Sequence, residues 1–97
     1  MQTSDPSIFA GGDVALVRER MTGQSVRNGT WPDAMHQGLI AAHSMVGVQK
    51  AYPGAVNIIS SAFFGTHFFS CGPVMQKSEY NCIIREGVEY YHKFLLD

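Results

Sequence analysis

Between Gly47 and Gly54 the chain changes its hydrophobic period, and that change restricts the fold more than any other feature. Ahead of it, over about residues 32–46, apolar and small residues recur at helical spacing: Ala34/Met35, Gly38, Ala41/Ala42 and Met45. Pro32 suits a first-turn position, Asp33 is favoured at the positive helix end, and Gly47 is a natural residue just past the helix. A glycine inside a helix costs about 1 kcal/mol against alanine, so Gly38 is expected to mark close approach to a neighbour. Beyond Tyr52–Pro53–Gly54 the pattern turns extended. Residues 56–60, 63–71 and 80–85 are β-branched and aromatic runs cut by glycine and proline. Glu86–Gly87 reads as a hairpin turn, with a return strand over 88–96. The expected class is α+β: a strand, a loop and one main helix, followed by an antiparallel β-sheet.

The first third of the chain holds the candidate chemistry. Ile8–Phe9–Ala10 runs into Gly11–Gly12–Asp13, which reads as a strand over 7–10 ending in a tight turn that carries a carboxylate. Ligands of open α/β sheets bind outside the carboxyl ends of the strands. A carboxylate held there can accept hydrogen bonds from sugar or polyol hydroxyls. The tripeptide by itself fits a plain Gly-rich turn with a solvated or N-capping aspartate better than a ligand site, and both readings stand at this point. Residues 1–5 are a polar lead-in before Pro6. Residues 16–30 show no sustained period and are expected to form a mobile loop with at most one helical turn over 15–20.

Composition narrows the partners. With 97 residues there is room for one small domain. Charged residues are only 15%, against about 25% in ordinary domains, so much of the surface is expected to be covered by something else. A net charge of −1 without a basic cluster argues against nucleic acid or an anionic membrane as partner. Apolar runs are too short to span a bilayer and the N-terminus lacks a signal-peptide pattern, which makes cytoplasm the expected location. Cys71 and Cys82 form no C-x-x-C pair and are expected to be ordinary buried or half-buried thiols. The four histidines, at 36, 43, 67 and 92, lack ligand spacing, and no metal site is expected. Asn28–Gly29–Thr30 matches a glycosylation sequon that is incidental without a secretory signal.

The order of segments carries more than any single one. Gly11–Gly12–Asp13 is followed by Thr30–Trp31–Pro32–Asp33–Ala34–Met35–His36–Gln37–Gly38, then Met45–Val46–Gly47, then Phe63–Phe64–Gly65. This series resembles the carboxyl-terminal part of the pyridine nucleotide–disulfide oxidoreductase superfamily, over roughly residues 3–95. The nearest branch holds coenzyme A-disulfide reductases, NADH oxidases and nitrite reductase flavin subunits. The resemblance implies that Asp13 bonds the ribityl chain of FAD, with Gly11 and Gly12 letting the backbone approach. It also implies that the helix opening at Trp31–Pro32 points its amino end at the flavin pyrimidine edge, using N–H groups of Asp33, Ala34 and Met35. Pro32 has no N–H, and Trp31 either lines the flavin or packs beneath it. NAD(P)H is the implied co-substrate. Residues 1–54 would be the end of an FAD-binding domain, and residues 55–97 a truncated interface domain that builds a homodimer, with Phe63, Phe64, Phe68 and Phe69 as core or dimer contacts. No G-x-G-x-x-G fingerprint occurs, so the chain is expected to be a carboxyl-terminal piece of the parent enzyme that is inactive alone. The competing expectation is a non-catalytic assembly or dimerisation module.

Overall fold

The computed structural model describes residues 1–72 and 80–96. Its elements are β1 (Val17–Arg18), β2 (Ser25–Val26), α1 (Trp31–Met45), β3 (Ile58–Phe63), β4 (Thr66–Cys71), β5 (Asn81–Glu86) and β6 (Tyr91–Leu96). The fold is α+β, with one helix and three two-stranded antiparallel sheets among the described residues: β1–β2, β3–β4 and β5–β6. The expected single sheet is therefore two separate hairpins among the described residues.

α1 begins where Pro32 presets the helical φ, and Gly47, at φ +81°, ends it. Its buried residues are Gln37, Ile40 and Ala41, so the packed face is rotated from the small-residue stripe read off the sequence. Gly38 faces open space, with nothing within 4 Å of an added Cβ, and marks no close approach. The tight approach falls one turn-face away, at Gly11, whose added Cβ would lie 3.2 Å from the Cβ and carbonyl carbon of Gln37.

The N-terminal third also departs from expectation. Residues 7–10 form no strand. Phe9 makes a single antiparallel bridge to Gln2, because the segment folds back on the lead-in through Thr3 N–H to Ile8 O (2.9 Å) and Ala10 N–H to Met1 O (3.0 Å). Residues 15–20 are not helical, since the Glu19 carboxylate closes a turn between β1 and β2. It accepts from the N–H groups of Met21 (3.0 Å) and Thr22 (2.6 Å) and from the Thr22 hydroxyl (2.7 Å). These bonds, the Met21 N–H foremost, hold the Glu19 carboxyl below its usual pKa.

Ala15, Val17 and Ala55 make the small apolar core, with Met1, Ala10, Val26 and Tyr52 packed around it. Ala55 reaches that core because its strand-like bonds run to Arg18 O (2.8 Å) and from Arg20 N–H (2.9 Å). Gly54 makes this possible. It sits at φ +102°, and a Cβ there would lie 2.8 Å from the Arg18 carbonyl oxygen.

In the second half, β3 starts later than expected and runs through Phe63, because Phe64–Gly65 is the turn. Both residues have positive φ, 49° and 81°, the two-residue geometry whose twist matches paired strands. β6 starts at Tyr91 instead of residue 88, since the connection is closed by Gly87 N–H to Tyr90 O at 2.9 Å. Cys71 and Cys82 are exposed on these hairpins, not buried. The four phenylalanines are exposed too, from 39% at Phe68 to fully exposed at Phe64, so they are not core within the chain. No described helix is long and apolar enough to cross a membrane.

Two substitutions test this account. Gly54→Ala should destabilise the fold by about 1–3 kcal/mol, from left-handed strain alone, before the clash with Arg18 is counted. Phe64→Asn should stabilise the β3–β4 hairpin by about 1 kcal/mol by relieving a left-handed aromatic residue. Chemical denaturation of both variants beside the wild type reads the two signs.

Candidate functional site

The turn at Gly11–Asp13 and the amino end of α1 come together across one open cleft of about 480 Å3, lined by Asp13, Gly29, Trp31, Ala34 and Met35. Trp31 and Met35 are 79% and 64% exposed, so the floor presents apolar surface that the chain itself leaves uncovered. Asp13 lies exposed at the rim, and a Cβ on Gly29 would come 3.5 Å from its Oδ2. Of the residues singled out in the sequence, Asp13, Trp31, Ala34 and Met35 line the cleft, while Gly11, Gly12, Pro32 and Asp33 are not in its lining.

The helix donors divide differently from the expectation. Ala34 N–H is taken by Thr30 O at 3.0 Å, as the first intrahelical bond. Met35 falls inside the same ladder. Thr30 makes no side-chain cap, and Pro32 has no N–H, so Trp31 and Asp33 are the positions whose backbone N–H lies ahead of the ladder.

Behind the wall lies a polar cluster. Gln37 is fully buried, its Oε1 accepting from Gly12 N–H at 2.8 Å. Its Nε2 donates to Asp33 Oδ2 at 2.6 Å and to Tyr52 Oη at 3.3 Å. The Tyr52 hydroxyl donates to Asp33 Oδ1. Asn28 Nδ2, also buried, donates to Asp33 Oδ2 at 3.1 Å and to Val56 O at 3.2 Å. Asp33 thus turns its side chain inward, and its carboxylate binds three segments of the chain together. Burial and the Asp33 carboxylate push the Tyr52 hydroxyl up to about 12, from the usual 10.0, which keeps it a donor. His36 packs edge-on against the Tyr52 ring at 5.7 Å.

Sequence pattern alone gives Asn28, Gly29, Gln37 and Tyr52 no role in a site. The one legible signal was the Asp33/Gln37 pair at i, i+4, the spacing at which helix side chains meet.

No family model matches the chain. No solved structure gives a significant match. Two curated proteins are similar. Over 54 residues, 56% of this chain, it is 54% identical to the 3-phenylpropionate/cinnamic acid dioxygenase ferredoxin–NAD(+) reductase component of Photorhabdus laumondii. Over 74 residues, 74% of this chain, it is 39% identical to the NADH-dependent phenylglyoxylate dehydrogenase subunit epsilon of Aromatoleum evansii. The matches span 14% and 17% of those proteins' lengths.

Because the Tyr52 pKa is raised in the folded state, its stabilising contribution is complete below the unfolded value near 10.0 and is lost as pH rises through about 12. Tyr52→Phe should remove a phenol ionisation near pH 12 from an ultraviolet titration. It should also flatten the fall in stability between those two pH values.

Proposed function

We propose that this chain is part of a flavin-dependent NAD(P)H oxidoreductase, supplying late FAD contacts and a dimer surface, and that its first 54 residues close an FAD-binding domain. The observation that carries the reading is the meeting of Asp13 and the α1 amino end at one apolar cleft. The names of both relatives, an NAD(+) reductase component and an NADH-dependent dehydrogenase subunit, support the oxidoreductase class. Within the superfamily, the Met45–Gly47 and Phe63–Gly65 segments favour the coenzyme A-disulfide reductase and NADH oxidase branch.

The residues present suit the group. Trp31, Ala34 and Met35 offer a flat apolar wall to an aromatic ring system. Backbone N–H groups at Trp31 and Asp33, at the positive end of the helix, suit an edge that gathers negative charge on reduction. Asp13 is a carboxylate acceptor for polyol hydroxyls. Gly11 and Gly12 keep the turn thin enough to lie against the helix beside that wall. When bound, the flavin supplies hydride and electron transfer, while these residues bind and orient it. The phosphate-cradling glycine loop is not in this sequence, so the 97 residues alone should hold flavin weakly and turn over no substrate.

A second reading, a non-catalytic assembly module, draws on the hairpin half, whose β3, β4, β5 and β6 expose apolar residues on both faces. In the first reading the same surfaces form the homodimer contact.

Asp13→Ala in the full-length protein should weaken FAD binding by about tenfold to a hundredfold, the loss of one charge-assisted hydrogen bond, with the circular dichroism spectrum unchanged. Equal FAD retention would remove Asp13 from the site. Light scattering after size exclusion should give a dimer or larger mass for the chain. A monomer mass across a wide concentration range would remove the dimer surface.

A further inference from the structure

We infer that Gln37 is a positioning residue that locks the Gly11–Asp13 turn onto α1, so that Asp13 and the helix donors present themselves to one ligand as a fixed pair. The inference rests on the proposed flavin site for the identity of the ligand. The lock itself rests on contacts within the chain.

Among the described residues, the bond from Gly12 N–H to Gln37 Oε1, at 2.8 Å, is the hydrogen bond that ties this turn to α1. Gly11 packs so closely on Gln37 that a Cβ would sit 3.2 Å from it, and Gly12, whose N–H makes the bond, takes a φ of +81° that favours glycine. The carboxamide has one workable orientation. Its oxygen must meet an N–H, and its nitrogen must meet the Asp33 carboxylate at 2.6 Å; a flipped amide would oppose donor to donor and acceptor to acceptor. With the side chain fully buried, water cannot take over either role. Asp13, one residue past the bond, inherits its position from it.

Two variants separate a lock from mere filling. Gln37→Glu keeps the length and the acceptor for Gly12 but sets a second carboxylate against Asp33. The pair can hold together only by sharing a proton, so the damage should be reversible by acid. Gln37→Met keeps the bulk and loses both bonds, and acid cannot repair it. The other groups facing the site are Tyr52 from the segment before β3, the neutral Asn28, His36 on α1 and Asp13 itself. The wild type measured at each pH is the control.

With glycine-selective nitrogen labelling, Gly12 amide exchange should accelerate on the order of tenfold in both variants near neutral pH, while Gly47 and Gly65 are unmoved. Near pH 5, Gln37→Glu should return to within about threefold of wild type, and Gln37→Met should not. FAD affinity of the full-length protein should follow the same order and the same acid rescue. Unchanged Gly12 exchange in Gln37→Met, or a pH-indifferent Gln37→Glu, overturns the lock whatever the flavin result. If Gln37→Met fails to fold, the acid rescue of Gln37→Glu alone decides it. A wild-type protein that takes up no FAD overturns the flavin reading, and Gly12 exchange then decides the lock by itself.

Discussion

A fully buried carboxamide organises the first half of this molecule. Gln37 has no water to turn to, and an unpaired buried polar group costs about 1–3 kcal/mol, so its oxygen and nitrogen must both find partners within the chain. The partners come from separate stretches: Gly12 from the N-terminal turn, Tyr52 from beyond the helix, and Asp33 one turn earlier on α1. Asp33 then recruits Asn28, which bonds Val56 O and draws in the start of the second half. The apolar core beside this network is small, with Ala15, Val17 and Ala55 at its centre. Polar satisfaction around Gln37 and Asp33 therefore ties together segments that are distant in sequence.

The same network explains the division of labour at the cleft. Asp33 is a structural carboxylate whose side chain is consumed behind the wall, whereas Asp13 keeps its carboxylate exposed at the rim. Two acidic residues of the same type thus take opposite roles, set by which one faces Gln37. Trp31 and Met35 remain uncovered beside Asp13, and this pairing of apolar wall and acceptor gives the proposed flavin site its chemistry.

The hairpin half obeys a different constraint. β3–β4 and β5–β6 pair strand to strand only within each hairpin and are anchored by cross-strand and diagonal contacts such as the stacked Phe63–Phe68 pair, 5.5 Å between rings. A two-stranded hairpin is at best marginally stable in water without a covered face. Here Ile58, Ile59, Ile83, Ile84 and Phe94 are all more than 40% exposed. The low charge content seen in the sequence is the compositional side of the same fact, a surface rich in apolar groups.

Local chemistry in the sequence determined the helix, since Pro32 and Gly47 fix its ends through backbone geometry that needs no partner. It also determined that extended hairpins follow Gly54, because β-branched and aromatic runs cut by turn residues pair locally. The strand bounds shifted where a turn signal was atypical: Phe64 in a left-handed conformation carries no sequence mark that glycine or asparagine would have given. Tertiary structure alone decided the helix's buried face, which centres on Gln37 and not on Gly38, because hydropathy cannot register a polar residue whose partners lie 25 residues upstream and 15 downstream. It alone decided that residues 7–10 bridge to Gln2 and form no strand, since a strand exists only through the neighbour it pairs with. Asp13 and Trp31 are legible as residue types in the sequence; their meeting at one cleft follows from a hydrogen bond that no local pattern encodes.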